Sequence, residues 1–475
     1  MTFASSDPSI ASPLPPPSAA RLDALRAGPL AGLDAFAQDL FFDRLVARWP
    51  RLTAPLWQLY GPSGSAPRDA DAAVAWLDRL IDRAARAYAA RSGDLRRLDA
   101  LRADEPDGLR GADQIGYIAY VDRFAGTLEG VRARIPYLRE LGVTYLHLLP
   151  LLMPRPHPND GGFAVADYTR VAPRLGTMDD LERLAADLRA AGIRLCIDLV
   201  CNHTAREHDW AQAARRGDPH YASYYHFFPN RTLPDQYEPH LFEVFPQIAP
   251  GNFTRVPEIN AWVWTTFYST QWDLNYAQPA VFAEMLEIMW MLANRGVEVL
   301  RLDAVPFMWK RVGTSCQNLP EVYAVLQGFR AWSNLVAPAL VHKAEAIVAP
   351  ADLMRYFGDG ASTGHGCGLA YHAVFMGALW DALATGRASV IRTVLARMPS
   401  PPANATWVTY ARCHDELAWA FADDDLEAAE LDPKPHRDFL GRFYLGEHPM
   451  SFARGELFAR DPSRGSWRID GTLAS

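Results

Sequence analysis

A chain of 475 residues with 49% hydrophobic and 21% charged residues has the means to bury a large core, and that balance excludes a disordered or collagen-like protein. Its net charge of -8 excludes a basic surface for nucleic acid or for an anionic membrane. Five scattered cysteines, Cys196, Cys201, Cys316, Cys367 and Cys413, match no disulfide framework or zinc spacing and point to free thiols in a reducing compartment.

In chain order, residues 1–21 are rich in Pro, Ser and Ala and are expected to be a disordered tail. They lack the basic start and apolar centre of a signal peptide, and no later apolar run is long enough to span a bilayer. A cytoplasmic protein without a membrane or nucleic-acid partner is the expectation. Residues 22–107 have a helical pattern, with Leu80, Ala84, Ala85 and Tyr88 on one face, and predict an all-α N-terminal domain. Glu105-Pro106-Asp107-Gly108 predicts a turn and a domain boundary.

The texture then changes. Ile115 to Val121 predicts a strand, and from there one unit recurs: an amphipathic helix ending in glycine, followed at once by an apolar strand. Leu138 to Gly142 leads into Val143 to Leu149, Leu188 to Gly192 into Ile193 to Asp198, and Leu292 to Gly296 into Val297 to Val305. Glycine at these positions permits the left-handed conformation that ends a helix. Thr177 is placed to cap the helix whose buried face is Leu181, Leu184, Ala185 and Leu188. Further strands are expected at Ala339 to Val348, near Gly366 to Tyr371, and at Thr406 to Arg412, making seven from Ile115 onward. Repeated αβ units with dry strands imply an α/β fold with a covered parallel sheet, and seven suit a (β/α)₈ TIM barrel better than an open sheet. The barrel is assigned to residues 108–203 and 278–416. Residues 204–277, rich in aromatic residues and proline, read as a loop-rich subdomain inserted after the third strand, and residues 417–475 as a second loop-rich insertion after the seventh. The chain ends at Ser475 within that insertion, so the barrel is expected to be incomplete, without an eighth strand or a C-terminal β-domain.

Polar residues gather where these strands end: Asp198, Asn202 and His203 at the third, Arg301 and Asp303 at the fourth, His342, Lys343 and Glu345 at the fifth, His414, Asp415 and Glu416 at the seventh. Arg301 and Asp303 are two apart and share a face of their strand. The C-terminal ends of barrel strands are where such enzymes keep their catalytic groups. Paired carboxylates are what retaining glycoside chemistry uses, one attacking the anomeric carbon and one protonating the leaving oxygen. The acid of the pair must stay protonated near neutral pH, and Glu345, with Asp303 and Asp415 as neighbours, is expected in that role. Taken singly, each of these residues has a plain structural reading; Asp198, for instance, reads as a partner for Arg301.

The stretches Asp198-Leu199-Val200-Cys201-Asn202-His203, Arg301-Leu302-Asp303-Ala304-Val305, Lys343-Ala344-Glu345 and His414-Asp415 resemble the signature regions of the α-amylase family of glycoside hydrolases, in the same order and at the same strand ends. Flanks such as Asn159 to Val165, Pro234 to Tyr237, Trp262 to Phe267, Gln271 to Tyr276 and Gly313 to Pro320 resemble the amylosucrase branch of that family. The resemblance implies a sucrose-cleaving, retaining glucosyl transfer to an α-1,4-glucan, with no cofactor and no metal. It implies Asp303 as nucleophile, Glu345 as general acid and base, and Asp415 as the carboxylate that holds the glucosyl 2- and 3-hydroxyls. It further implies that His203 and His414 bond glucosyl hydroxyls, that Arg301 orients Asp303, that Asp160 grips glucose at the pocket floor, and that Phe267 and Gln271 line the pocket. Phe163 stands where the family usually has a stacking Tyr, and Glu416 where it usually has Asp. Alternatives on the same reading are a sucrose hydrolase with water as acceptor, or an inactive truncated remnant.

Overall fold

The computed structural model describes residues 12–103, 109–111, 113–348, 350–461 and 466–470. The first eleven residues of the expected tail and the turn Glu105 to Gly108 lie outside them. Two units form: residues 1–345 with 358–368, and residues 346–357 with 369–475.

In the first unit the chain opens with helices α1 (Ala19–Ala27), α2 (Ala35–Ala47), α3 (Trp49–Tyr60), α4 (Ala70–Ala89) and α5 (Gly93–Ala103). Helix α1 starts inside the segment expected to be a tail. The reason is a cap: the Ser18 hydroxyl accepts the Arg21 amide at 3.3 Å and satisfies one of the first turn's orphan donors. Helix α4 buries Leu80, Ala84, Ala85 and Tyr88 as expected, with Leu77 and Ile81 beside them.

Strands β1 (Gly116–Ala119), β2 (Tyr145–Leu148), β3 (Arg194–Val200), β4 (Val299–Asp303) and β5 (Val341–Ala344) pair in parallel in that order. Helix α6 (Met178–Ala190) precedes β3, α7 (Pro279–Asn294) precedes β4 and α8 (Pro320–Val336) precedes β5. The helix-ending glycines take the left-handed backbone predicted for them, with φ of 75° at Gly142, 79° at Gly192 and 90° at Gly296. Thr177 caps α6 in a reciprocal box: its hydroxyl accepts the Asp180 amide at 3.2 Å, and the Asp180 carboxylate accepts the Thr177 amide at 2.8 Å. Strand β4 is buried along its whole length, as a sheet covered on both faces requires.

The N-terminal helices pack on the barrel helices. Helix α3 lies against α8, and α4 against α7. The Trp332 indole donates to the Leu52 carbonyl at 3.0 Å, and the Tyr60 hydroxyl to the Tyr276 carbonyl at 2.8 Å. Arg91 makes two parallel bonds to the Asp99 carboxylate, at 2.6 and 2.8 Å, and a third to the Ala293 carbonyl at 2.9 Å. Both partners are buried. Arg91→Leu leaves a buried carboxylate without its cation, so urea unfolding should show a loss of about 3–5 kcal/mol.

In the second unit, β6 (Leu369–Tyr371) and β7 (Thr406–Val408) pair in parallel. The first unit thus carries five parallel strands and the second unit two, in the αβ alternation of the (β/α)₈ fold that the sequence predicts. Strand β7 stops at Val408, short of the expected Arg412, and beyond it the Ala411 carbonyl accepts from the Trp380 indole at 2.6 Å. His414 and Asp415 therefore sit on the loop beyond the strand.

The two stretches expected as insertions hold small antiparallel sheets. Phe253–Val256, Ala261–Trp264 and Phe227–Phe228 form one, packed around Phe228, Phe253 and Trp264. Leu417–Ala418, Ser466–Asp470 and Glu456–Asp461 form the other, with the helices Asp423–Ala428 and Pro433–Tyr444 and a core that includes Trp419, Phe443 and Trp467. Among the described residues, no helix is long and apolar enough to cross a membrane.

Candidate active site

The site grows from the register of three neighbouring strands. Arg301 of β4 is paired with Asp198 of β3 on one side and Lys343 of β5 on the other. Paired residues of a parallel sheet point to the same face, so these three side chains form one layer, with Asp303 two residues farther along β4. One guanidinium nitrogen of Arg301 donates to both carboxylates, at 2.7 Å to Asp198 Oδ1 and 2.5 Å to Asp303 Oδ1. Asp198 thus holds Arg301, and Arg301 holds Asp303. Arg301 also lies over the Phe163 ring, 5.5 Å from its centre. His342 alternates to the other face, where it meets Ser333 of α8 at 3.3 Å; it is a core residue, and burial depresses its pKa to about 3.

Glu345 follows β5 directly. Its Oε2 accepts the Ala304 amide at 2.8 Å, and its own amide donates to the Leu302 carbonyl at 3.1 Å. Ala304 has φ of 54°, a left-handed backbone that alanine rarely adopts, and this turn aims its N–H at Glu345. The two carboxylates 42 positions apart in sequence (303 to 345) are thereby brought to adjacent residues of one turn. Burial pushes the Asp303 carboxyl up, and the Arg301 guanidinium and His203 pull it back down.

His203 closes the next side. Its Nε2 donates to the Phe163 carbonyl at 3.2 Å while Nδ1 faces the Asn202 amide at 3.3 Å, and its ring lies 5.3 Å from that of Phe267. The Phe267 ring also meets Phe307 edge-on at 5.4 Å. The Gln271 amide donates to Asp160 Oδ2, and Asp160 Oδ1 accepts the Ala164 amide at 3.0 Å. The turn that carries Asp160 needs glycine after it. Gly162 has φ of 101°, and a Cβ there would meet the Pro150 ring at 3.0 Å. Eight expected site residues, Asp160, Phe163, His203, Phe267, Gln271, Arg301, Asp303 and Glu345, thus lie in the first unit and are linked by these contacts.

His414 and Asp415 belong to the second unit. His414 Nε2 faces Asp415 Oδ1 at 3.3 Å, and the Cys413 thiol donates to Asp415 Oδ2 at 3.4 Å. Cys413, His414 and Asp415 bring three ligand atoms within 4.8 Å of one another, the one such group among the described residues. Glu416 pairs with Arg468 at 2.8 Å.

Three supporting residues, Asp273, Lys310 and His147, were given no role in the reading of the sequence. Asp273 is fully buried and accepts from Lys310 at 2.6 Å, the Thr266 amide at 2.8 Å, the Thr266 hydroxyl at 2.6 Å and Asn202 at 3.1 Å. Burial works to raise its pKa, but Lys310 and the other donors win and hold it below the ordinary carboxylate range. Its strand, Gln271–Asp273, pairs antiparallel with His203–Ala205, so this hub fixes the backbone beneath His203. The third is His147, which joins Asp198 to the Lys343 already singled out. His147 Nε2 meets Asp198 Oδ2 at 2.9 Å, and Lys343 Nζ meets His147 Nδ1 at 3.4 Å. A lone carboxylate two residues after Gln271, or a histidine in an apolar strand, carries no signal of such partners in one sequence.

Residues 91–397 match the family described as "Alpha amylase, catalytic domain", well over half of the chain. The chain belongs to the α-amylase family. Its curated relatives include trehalose synthase/amylase TreS of Mycolicibacterium smegmatis, 35% identical over 301 residues, covering 63% of this chain and 50% of that protein. Glucosylglycerate phosphorylase of Spirochaeta thermophila is 35% identical over 247 residues, 51% of this chain and 40% of that one. The chain spans about half the length, or less, of such relatives. Among solved structures, sucrose 6F-phosphate phosphorylase from Thermoanaerobacter thermosaccharolyticum superposes with a TM-score of 0.61 at 20% identity, covering 76% of this chain and 70% of that one. At that identity the likeness is one of fold, the barrel of the α-amylase family.

Proposed function

We propose that this α-amylase-family chain carries the machinery of a retaining glucosyl transfer from sucrose, of the amylosucrase type. The observation that carries the reading is the turn at Ala304, which joins Asp303, held by Arg301, to Glu345, held by the amide that follows Asp303. In the first step an Asp303 carboxylate oxygen bonds to the anomeric carbon as the glycosidic C–O bond breaks, and Glu345 gives its proton to the departing fructose oxygen. In the second step Glu345 takes a proton from the acceptor hydroxyl, which displaces Asp303 from the sugar. Asp160, His203, Phe163, Phe267 and Gln271 supply hydrogen bonds and stacking surface for the glucosyl unit. For His414 and Asp415 the assignment rests on the motif alone.

Incubation of the full-length protein with sucrose tests the reading. Fructose with glucan supports transfer, equal glucose and fructose support the hydrolase alternative, and no fructose overturns the sucrose reading. The relatives named above favour a second reading, trehalose synthesis or phosphorolysis of a glucoside. Trehalose formed from an α-glucosyl disaccharide, or glucose phosphate formed when inorganic phosphate is added, would mark it.

The nucleophile must be ionised to attack. Because burial raises the Asp303 pKa, the ionised form is lost earlier as pH falls than in an exposed aspartate. The acidic limb of kcat/KM is therefore expected above the roughly 3.9 of a free aspartate. A pH–rate profile measured on sucrose checks this.

A further inference from the structure

Two buried carboxylates share one guanidinium. Arg301 donates to Asp198 and Asp303 from the same nitrogen, and the Asp198 side chain has no exposed surface. Two negative charges against one positive charge in a dry site favour protonation of one carboxylate. A protonated Asp303 does not attack. The layer holds a second cation, Lys343, 1% exposed and paired in register with Arg301.

The ammonium of Lys343 reaches Asp198 through a ring. Lys343 Nζ donates to His147 Nδ1 at 3.4 Å, and His147 Nε2 donates to Asp198 Oδ2 at 2.9 Å. These roles require a neutral imidazole. Burial, with Lys343 beside it, lowers the His147 pKa to about 3, against the pull of Asp198. Asp198 thus accepts from Arg301 on one oxygen and from the His147–Lys343 chain on the other.

We propose that Lys343 and His147 are positioning residues for Asp303: they satisfy Asp198 with the field of a second buried cation, which leaves the Arg301 guanidinium to hold Asp303 in its charged, attacking form. The proposal rests on the reading of Asp303 as nucleophile and goes beyond the family signature, which reaches Lys343 only as a neighbour of Glu345. Lys343 is faced by the Tyr145 ring at 5.2 Å, by His147, and by Cys196, Asp198 and Arg301. Asp303 is faced by Arg301, His203 and Asp198, with Cys201 and Tyr168 behind it and Glu345 across the Ala304 turn.

The test titrates Asp303 directly in the full-length protein. Its carboxyl infrared band is assigned by difference against Asp303→Asn. Lys343→Met and His147→Leu are expected to raise its titration midpoint by about one pH unit or more, the scale of losing a nearby opposite charge. His147→Gln is expected to stay near wild type, since an amide both accepts from Lys343 and donates to Asp198. The acidic limb of kcat/KM with α-glucosyl fluoride should move with the band. An unmoved midpoint in Lys343→Met and His147→Leu overturns the proposal, as does His147→Gln titrating like His147→Leu. Should Lys343→Met not fold, the two His147 variants decide, because Leu and Gln are similar in bulk and differ in polar contacts. Failure of the nucleophile reading is separately visible: Asp303→Asn would still turn over α-glucosyl fluoride.

Discussion

Asp303→Asn is expected to lower kcat on sucrose by on the order of 10⁴- to 10⁶-fold, the scale seen when a covalent nucleophile is removed. The amide keeps the shape of the side chain, and its oxygen still accepts from Arg301, which now sits at 2.5 Å from the carboxylate. Arg301 keeps Asp198 at 2.7 Å as its counter-charge, so the replacement leaves no unpaired buried cation. The loss should therefore fall on chemistry and leave the unfolding midpoint near that of the parent. Mass spectrometry of the intact protein gives the second measure. A glucosyl adduct should form on the parent with a slow donor and be absent from Asp303→Asn. Turnover of the variant within tenfold of the parent would end the assignment of Asp303.

The second large effect is on Glu345. Glu345→Gln is expected to slow sucrose cleavage by about 10²–10⁴-fold, the usual worth of a general acid. The Gln oxygen still accepts the Ala304 amide, now bonded at 2.8 Å, so the left-handed turn beside the nucleophile keeps its anchor. The diagnostic is the leaving group. Fluoride departs without a proton, so the first step with α-glucosyl fluoride should be nearly unaffected while sucrose cleavage collapses. An equal loss on both donors would give Glu345 a structural role in place of the acid's.

Much of this site is legible in the sequence because barrel geometry converts order into position. The spacing of helix, glycine and apolar strand placed Arg301 and Asp303 on β4, and the glycines at 142, 192 and 296 have the backbone assigned to them, whereas the strand expected over Ala339 to Val348 ends at Ala344 and leaves Glu345 just beyond it. The Thr177 cap and the buried faces of α4 and α6 are equally local and equally visible. Strand ends are less so. Strand β7 stops at Val408, and the Ala411 carbonyl beyond it is bonded by Trp380, a contact that neither partner signals in sequence.

The sequence by itself thus determined the αβ alternation and the family and singled out the two carboxylates of the first unit, since each shows in periodicity or in a short contiguous motif. Only the tertiary structure decided what stands behind them. The Asp273–Lys310 hub joins residues 37 positions apart, and the Lys343–His147–Asp198 chain joins strands separated by 196 and 51 positions. Those partners are set by sheet register and by the cost of burying a charge alone, and both quantities exist only once the strands have come together.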